Sequence, residues 1–183
     1  GLLPDPEGEV QAAIKGMRAL QEKIDAPIPV LKNPAKRLAG QLIGRHITVF
    51  SSGFMSPVAR RWKTQLNEVA KAFASFEYLP EADHNTLTGI WNPPGSETRE
   101  FCLFLLAGED HPRNLLRLEK TKRILMLEGI GTDLFTAVGE TRLEQMWNAL
   151  LFGDYLAFYL AMIYDTDPTP IPPIATLKEE MSA

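Results

Sequence analysis

An α/β fold, with a parallel sheet covered by helices on both faces, is what this sequence predicts. Three observations carry that expectation. Runs of β-branched and aromatic residues alternate with helix-periodic segments, the order that builds parallel strand–helix–strand units. The run REFCLFLLAG (99–108) is apolar almost without interruption, as a strand buried on both faces must be. The 183 residues, 45% hydrophobic and 23% charged, suffice for one core without disulfide staples.

The elements follow in order. A polar helix is predicted over about 6–24, closed by the linker-like DAPIPVLKNP, and a second helix over about 32–43. HITVFSSG (46–53) is a β-branched run that stops at Ser-Ser-Gly, a buried strand entering a turn. Ser56-Pro57 then sets serine as N-cap and proline at the first helical position. In that helix Trp62, Leu66, Val69 and Phe73 recur at i, i+4, i+7 and i+11, an apolar stripe. FASFEYLP reads as a second strand, HNTLTGIW as a short helix, and REFCLFLLAG as the third strand. Pro112 opens a helix to about 128 with Leu115, Leu118 and Leu125 on one face. TDLFTAVG (132–139) is the fourth strand, and a long helix runs over 140–164 until DTDPTPIPP breaks it. IATLKEEM forms a last short helix.

Charge and composition narrow the function. A net charge of −4 and a pI near 5.4 argue against a nucleic-acid or anionic-membrane surface. GLLPDPEGEV lacks a basic n-region and an apolar signal core, so no signal peptide is expected. YLAFYLAMIY (155–164) is too short to span a bilayer and reads as buried helix. The single cysteine, Cys102, sits in an apolar run with nothing basic beside it, an inert thiol that fits a cytoplasmic protein.

The candidate chemistry lies in few places. Ser51, Ser52 and Gly53 follow a strand, where open α/β sheets bind ligands, and suit an anionic or polyhydroxyl ligand. Arg61, Gln65 and Glu68 form a polar stripe beside the core stripe. Glu68 reads either as a solvated helix glutamate or as a carboxylate aimed at a cleft. His84, in LPEADHN, is a surface-turn residue, a metal ligand or an acid/base group. His46 and His111 are distant and no helix-spaced ligand pair exists, which argues against metal. Carboxylates beside a histidine favour its charged form, which suits proton transfer near neutrality. No glycine-rich phosphate loop or G-x-S-x-G elbow is present, so no nucleotide or flavin cofactor is expected. The helix over 143–163 becomes apolar all round, which suits core or a second subunit.

ARRWKTQLNEVAK, LPEADHN and GDYLAFYLAMIYDTDPTPIPPIATLK together resemble the C-terminal half of the bifunctional phosphoglucose/phosphomannose isomerases, in the sugar isomerase (SIS) superfamily. The resemblance covers about residues 30–182. It implies a three-layer αβα sandwich around a parallel, flavodoxin-like five-stranded sheet, with residues 1–30 as a connecting helix and linker. It implies metal-free and cofactor-free interconversion of glucose 6-phosphate or mannose 6-phosphate with fructose 6-phosphate. By that resemblance Glu68 is the base that moves a proton between C2 and C1 through an enediol. His84 assists ring opening in the partner subunit's site, and Lys178 reaches the substrate near the ring oxygen. A homodimer with a shared active site follows. The resemblance also implies a preceding SIS half that holds the phosphate and is absent from this sequence. A non-catalytic sugar-phosphate-binding or regulatory SIS module is the alternative.

Overall fold

The computed structural model describes residues 5–182, so Gly1 to Pro4 of the predicted N-terminal linker segment lie outside the described residues. Four strands and six α-helices follow one another: α1 (Glu7–Ile24), α2 (Pro34–Gln41), β1 (His46–Ser52), α3 (Ser56–Glu68), β2 (Ala74–Leu79), β3 (Glu100–Leu106), α4 (Pro112–Leu127), β4 (Gly131–Thr136), α5 (Arg142–Ile163) and α6 (Pro172–Met181). The sheet is parallel throughout, in the order β2-β1-β3-β4. The α/β class and the helix-covered parallel sheet are as expected, but the sheet has four strands rather than five. Among the described residues every strand-like run is used in these four, and α5 and α6 follow β4 as helices.

Alternation along the central strands sorts the core into two layers. Ile47, Val49, Phe101, Leu103 and Leu105 face a layer built with α2, α3 and α5, where Trp62, Leu66, Phe152 and Leu156 are buried. Phe50, Cys102 and Phe104 face the other layer with Leu118 and Leu125 of α4. Trp62 joins the first layer together, stacking on Phe152 at 5.8 Å between centroids and donating its indole N–H to Ala149 O at 2.8 Å. Gly153 is required beneath it, because a Cβ there would come within 2.4 Å of Trp62 Nε1.

α5 spans 22 residues, longer than the apolar decamer alone implied, and by length and composition it is apolar enough to cross a membrane. Here it lies in the protein core, with Ala149, Phe152, Gly153, Leu156, Ala157 and Leu160 buried. α1 is strapped to it: Gln21 Nε2 donates to the Tyr155 hydroxyl at 3.0 Å, and the Tyr159 hydroxyl donates to Ile24 O at 2.5 Å.

Three local expectations change. Ser56 is the first residue of α3 and not its cap, because the 3-10 turn Gly53–Met55 runs straight into the helix and leaves no extended residue to cap it. The apolar stripe ends before Phe73. α3 stops at Glu68, Lys71 turns the chain with φ 54°, and Phe73 is 78% exposed against the His46 ring. HNTLTGIW holds one 3-10 turn, Gly89–Trp91, in place of a helix.

Candidate functional site at the two ends of the sheet

The carboxyl ends of the strands carry Ser51, Ser52 and His84. β1 delivers Ser51 and Ser52 at 0% and 2% exposure. The Ser52 hydroxyl donates to Asp110 Oδ2, in the loop between β3 and α4. The Ser51 hydroxyl is buried with no partner among the described residues. Asp110 Oδ1 accepts from the His111 backbone N–H at 2.7 Å and from Asn114 Nδ2 at 3.0 Å. His111 caps α4 in turn, its Nδ1 accepting from the Arg113 N–H at 3.1 Å. β2 delivers His84 at the same end, through the 3-10 turn Glu81–His84, with its ring exposed to solvent. Its neighbours are braced: Asp83 Oδ1 accepts from Thr121 Oγ1 at 2.7 Å, and Glu77 Oε1 accepts from Thr86 Oγ1 at 3.0 Å. Asp83 and Glu81 are thus tied to Thr121 and Asn85, and not gathered around His84.

The amino ends carry Glu68. α3 leaves the carboxyl end of β1 and runs back across the sheet, so its last residue reaches the opposite edge. Its 13 residues, at about 1.5 Å each, put about 20 Å between Ser56 and Glu68. β2 then returns over six residues of about 3.3 Å each, so Glu68 and His84 of one chain are separated by about 20 Å. Glu68 is exposed, and among the described residues its carboxylate takes part in no hydrogen bond or ion pair. The Asn67 side chain accepts from Ala74 N–H at 2.8 Å, fixing the helix end that presents Glu68.

The segment that leads to Lys178 starts at this second end. α5 also runs back across the sheet, and the Gly44 N–H at the foot of β1 donates to the Tyr164 hydroxyl just beyond α5. Lys71 Nζ then ties Pro168 O at 3.1 Å to Glu68 O at 2.5 Å, so the segment leading to α6 starts beside Glu68. α6 has no buried residue, and Lys178 is exposed on it. Arg61 and Gln65 lie between the two ends on the flank of α3. Gln65 Nε2 donates to Asp154 Oδ1 at 2.5 Å, with Arg61 4.0 Å from the same oxygen. The stripe read from spacing is therefore split: Arg61 and Gln65 meet Asp154, and Glu68 stands clear of it.

Sequence reasoning did not single out Asp110 or Asp154. Asp110 was detectable, since an acidic residue after a strand and just before His-Pro is a helix-start pattern. Asp154 lies in a mainly apolar helix and carried no comparable sign. Among the described residues no three His, Cys, Asp or Glu side chains gather as a metal site.

A parallel sheet covered by helices, with a long core helix strapped by α1, is the architecture of a SIS-type domain. The family described as bacterial phospho-glucose isomerase C-terminal SIS domain matches residues 31–181, and the chain belongs to it. The bifunctional phosphoglucose/phosphomannose isomerase of Caldicellulosiruptor bescii is 31% identical over 183 residues, all of this chain and 54% of that protein. The enzyme of the same description from Aquifex aeolicus is 31% identical over 161 residues, covering 88% of this chain and 50% of its own. The chain spans about half the length of these relatives. The crystal structure of a glucose-6-phosphate isomerase-like protein from Thermus thermophilus superposes with a TM-score of 0.73 at 24% identity, over 88% of this chain and 52% of the other, which shows the fold.

Proposed function

We propose that this chain is the C-terminal half of a phosphosugar aldose–ketose isomerase that interconverts glucose 6-phosphate, mannose 6-phosphate or both with fructose 6-phosphate. Glu68 is the base that carries the proton between C2 and C1 through a cis-enediol, a task one carboxylate on one face of the substrate can perform. His84 opens the sugar ring, and Lys178 stabilises charge developing near the ring oxygen. Ser51, Ser52 and Arg61 contribute substrate contacts. No metal or other cofactor enters the reaction, and it takes place in the cytoplasm. Residues 1–30 link residues 31–183 to a preceding SIS half that holds the phosphate.

One observation carries the reading: Glu68 and His84 stand at opposite ends of the sheet, about 20 Å apart. They serve one reaction only if the carboxyl end of one subunit meets the amino end of another, which is a homodimer with shared sites. The exposure of Glu68, His84 and Lys178, whose side chains make no hydrogen bond or ion pair among the described residues, supports the same arrangement. Binding energy from the remote phosphate is normally used at the reacting carbons, so this half alone turns over substrate very weakly.

The test is made in a protein carrying both halves. Glu68→Gln abolishes solvent exchange at C2 of the sugar phosphate and leaves its binding nearly unchanged. Exchange that continues near the parent rate in the variant excludes Glu68 as the base. Isomerisation by the isolated 183-residue chain at ordinary enzyme rates refutes the need for the preceding half.

A further inference from the structure

The sheet order β2-β1-β3-β4 places a switch point between β1 and β3, where chain connections diverge in opposite directions. In open parallel sheets that crevice, faced by a helix N-terminus, is where anionic ligands settle. In this chain the crevice already contains a carboxylate. Asp110 lies across it, accepting the Ser52 hydroxyl, the His111 N–H and the Asn114 amide. It also packs on the backbone of Gly53, which has φ 53° and no side chain; a Cβ there would lie 2.6 Å from Asp110 Oδ1 and 3.1 Å from Oδ2. The Ser52 hydroxyl, the His111 N–H and the Asn114 amide, donors that a phosphate oxygen would seek, thus meet Asp110 first, and a phosphate entering the crevice would lie against a like charge.

We infer that Asp110 is a specificity-determining residue that closes the serine loop of this half to phosphate. The inference rests on the proposed function and deepens it: the phosphate of the phosphosugar is assigned to a surface outside that loop.

Titration of the 183-residue chain with inorganic phosphate, followed by proton–nitrogen correlation spectra, reads the amides of Ser51, Ser52, Gly53 and His111 directly. In the unaltered chain these resonances show no saturable shift. Asp110→Asn keeps the shape and removes the charge; it gains saturable shifts at the same amides, with phosphate bound about tenfold tighter or better. Ser52→Ala, which leaves the carboxylate in place, stays unresponsive. If Asp110→Asn loses the native spectrum, Asp110→Ser, which retains a side-chain oxygen for the helix start, carries the same expectation. Saturable phosphate shifts in the unaltered chain or in Ser52→Ala overturn the inference, as does a folded, uncharged variant that gains none. These spectra require no turnover, so their outcome is independent of the exchange experiment on Glu68.

Discussion

The two ends of the sheet are built on opposite terms. At the carboxyl end polar groups are spent on one another: Ser52, Asp110 and Asn114 interlock, as do Asp83 with Thr121 and Glu77 with Thr86. At the amino end the exposed Glu68 carboxylate makes no hydrogen bond or ion pair among the described residues. A carboxylate whose oxygens already accept several hydrogen bonds offers no free oxygen to a substrate proton, whereas a base needs an uncommitted one. The contrast sets the interlocked groups around Asp110 and Asp83 apart from Glu68; His84, exposed at the carboxyl end, is not one of the interlocked groups. It also explains why Asp110, although near the conventional ligand crevice, is no candidate base.

Substitutions at the two ends therefore have opposite signatures. The largest effect belongs to Glu68→Gln in a protein with both halves: proton exchange at C2 falls on the order of 10²–10⁴-fold, while the thermal midpoint stays unchanged. Next is Asp110→Ala, which strands the buried Ser52 hydroxyl and costs about 1–3 kcal/mol in a denaturant titration. A matching stability loss in Glu68→Gln would erase the distinction between the ends.

Cys102, midway along β3, sharpens the comparison through pH. Burial, with a smaller contribution from the Glu100 charge, pushes its thiol up from the ordinary 9.0 to about 12. Above the ordinary value the unfolded thiol ionises and the folded one does not, so the unfolded state binds fewer protons and stability falls as pH rises. The loss begins above about 9 and ends near about 12, with a slope of at most about 1.4 kcal/mol per pH unit. Denaturant titrations at about pH 8 and about pH 10 show this slope in the parent and not in Cys102→Ala. The smallest effect is Gln65→Ala: the partly exposed bond to Asp154 contributes about 0.5–1.5 kcal/mol, again read by denaturant titration.

Much of this was legible in the chain, for physical reasons. REFCLFLLAG and HITVFSSG announce central strands because both faces of β3 and β1 are covered, which forces apolar or small residues at nearly every position. The family motifs around Glu68, His84 and Lys178 are equally visible. Their distribution was not. The separation of Glu68 from His84 follows from the direction in which α3 and β2 cross the sheet, which residue spacing does not encode. The sheet was expected to have a fifth strand by resemblance alone, and no run in the chain supplies one. The α3 stripe failed at Phe73 because periodicity continues on paper after Lys71 has turned the backbone.

β4 is the outermost strand on its side of the sheet. Ala137 N–H bonds to Leu106 O, so the alternate residues 132, 134 and 136 direct their backbone groups away from β3 to an unpaired edge. Such an edge invites association with other chains, and Leu134, 41% exposed, adds an apolar surface to it. Asp133 counters this locally. Its Oδ1 accepts the Leu134 N–H at 2.7 Å, removing an outward donor and leaving a negative charge where an incoming strand would register. The strand thus carries its own gatekeeper against aggregation, supplied by the residue next to the hazard.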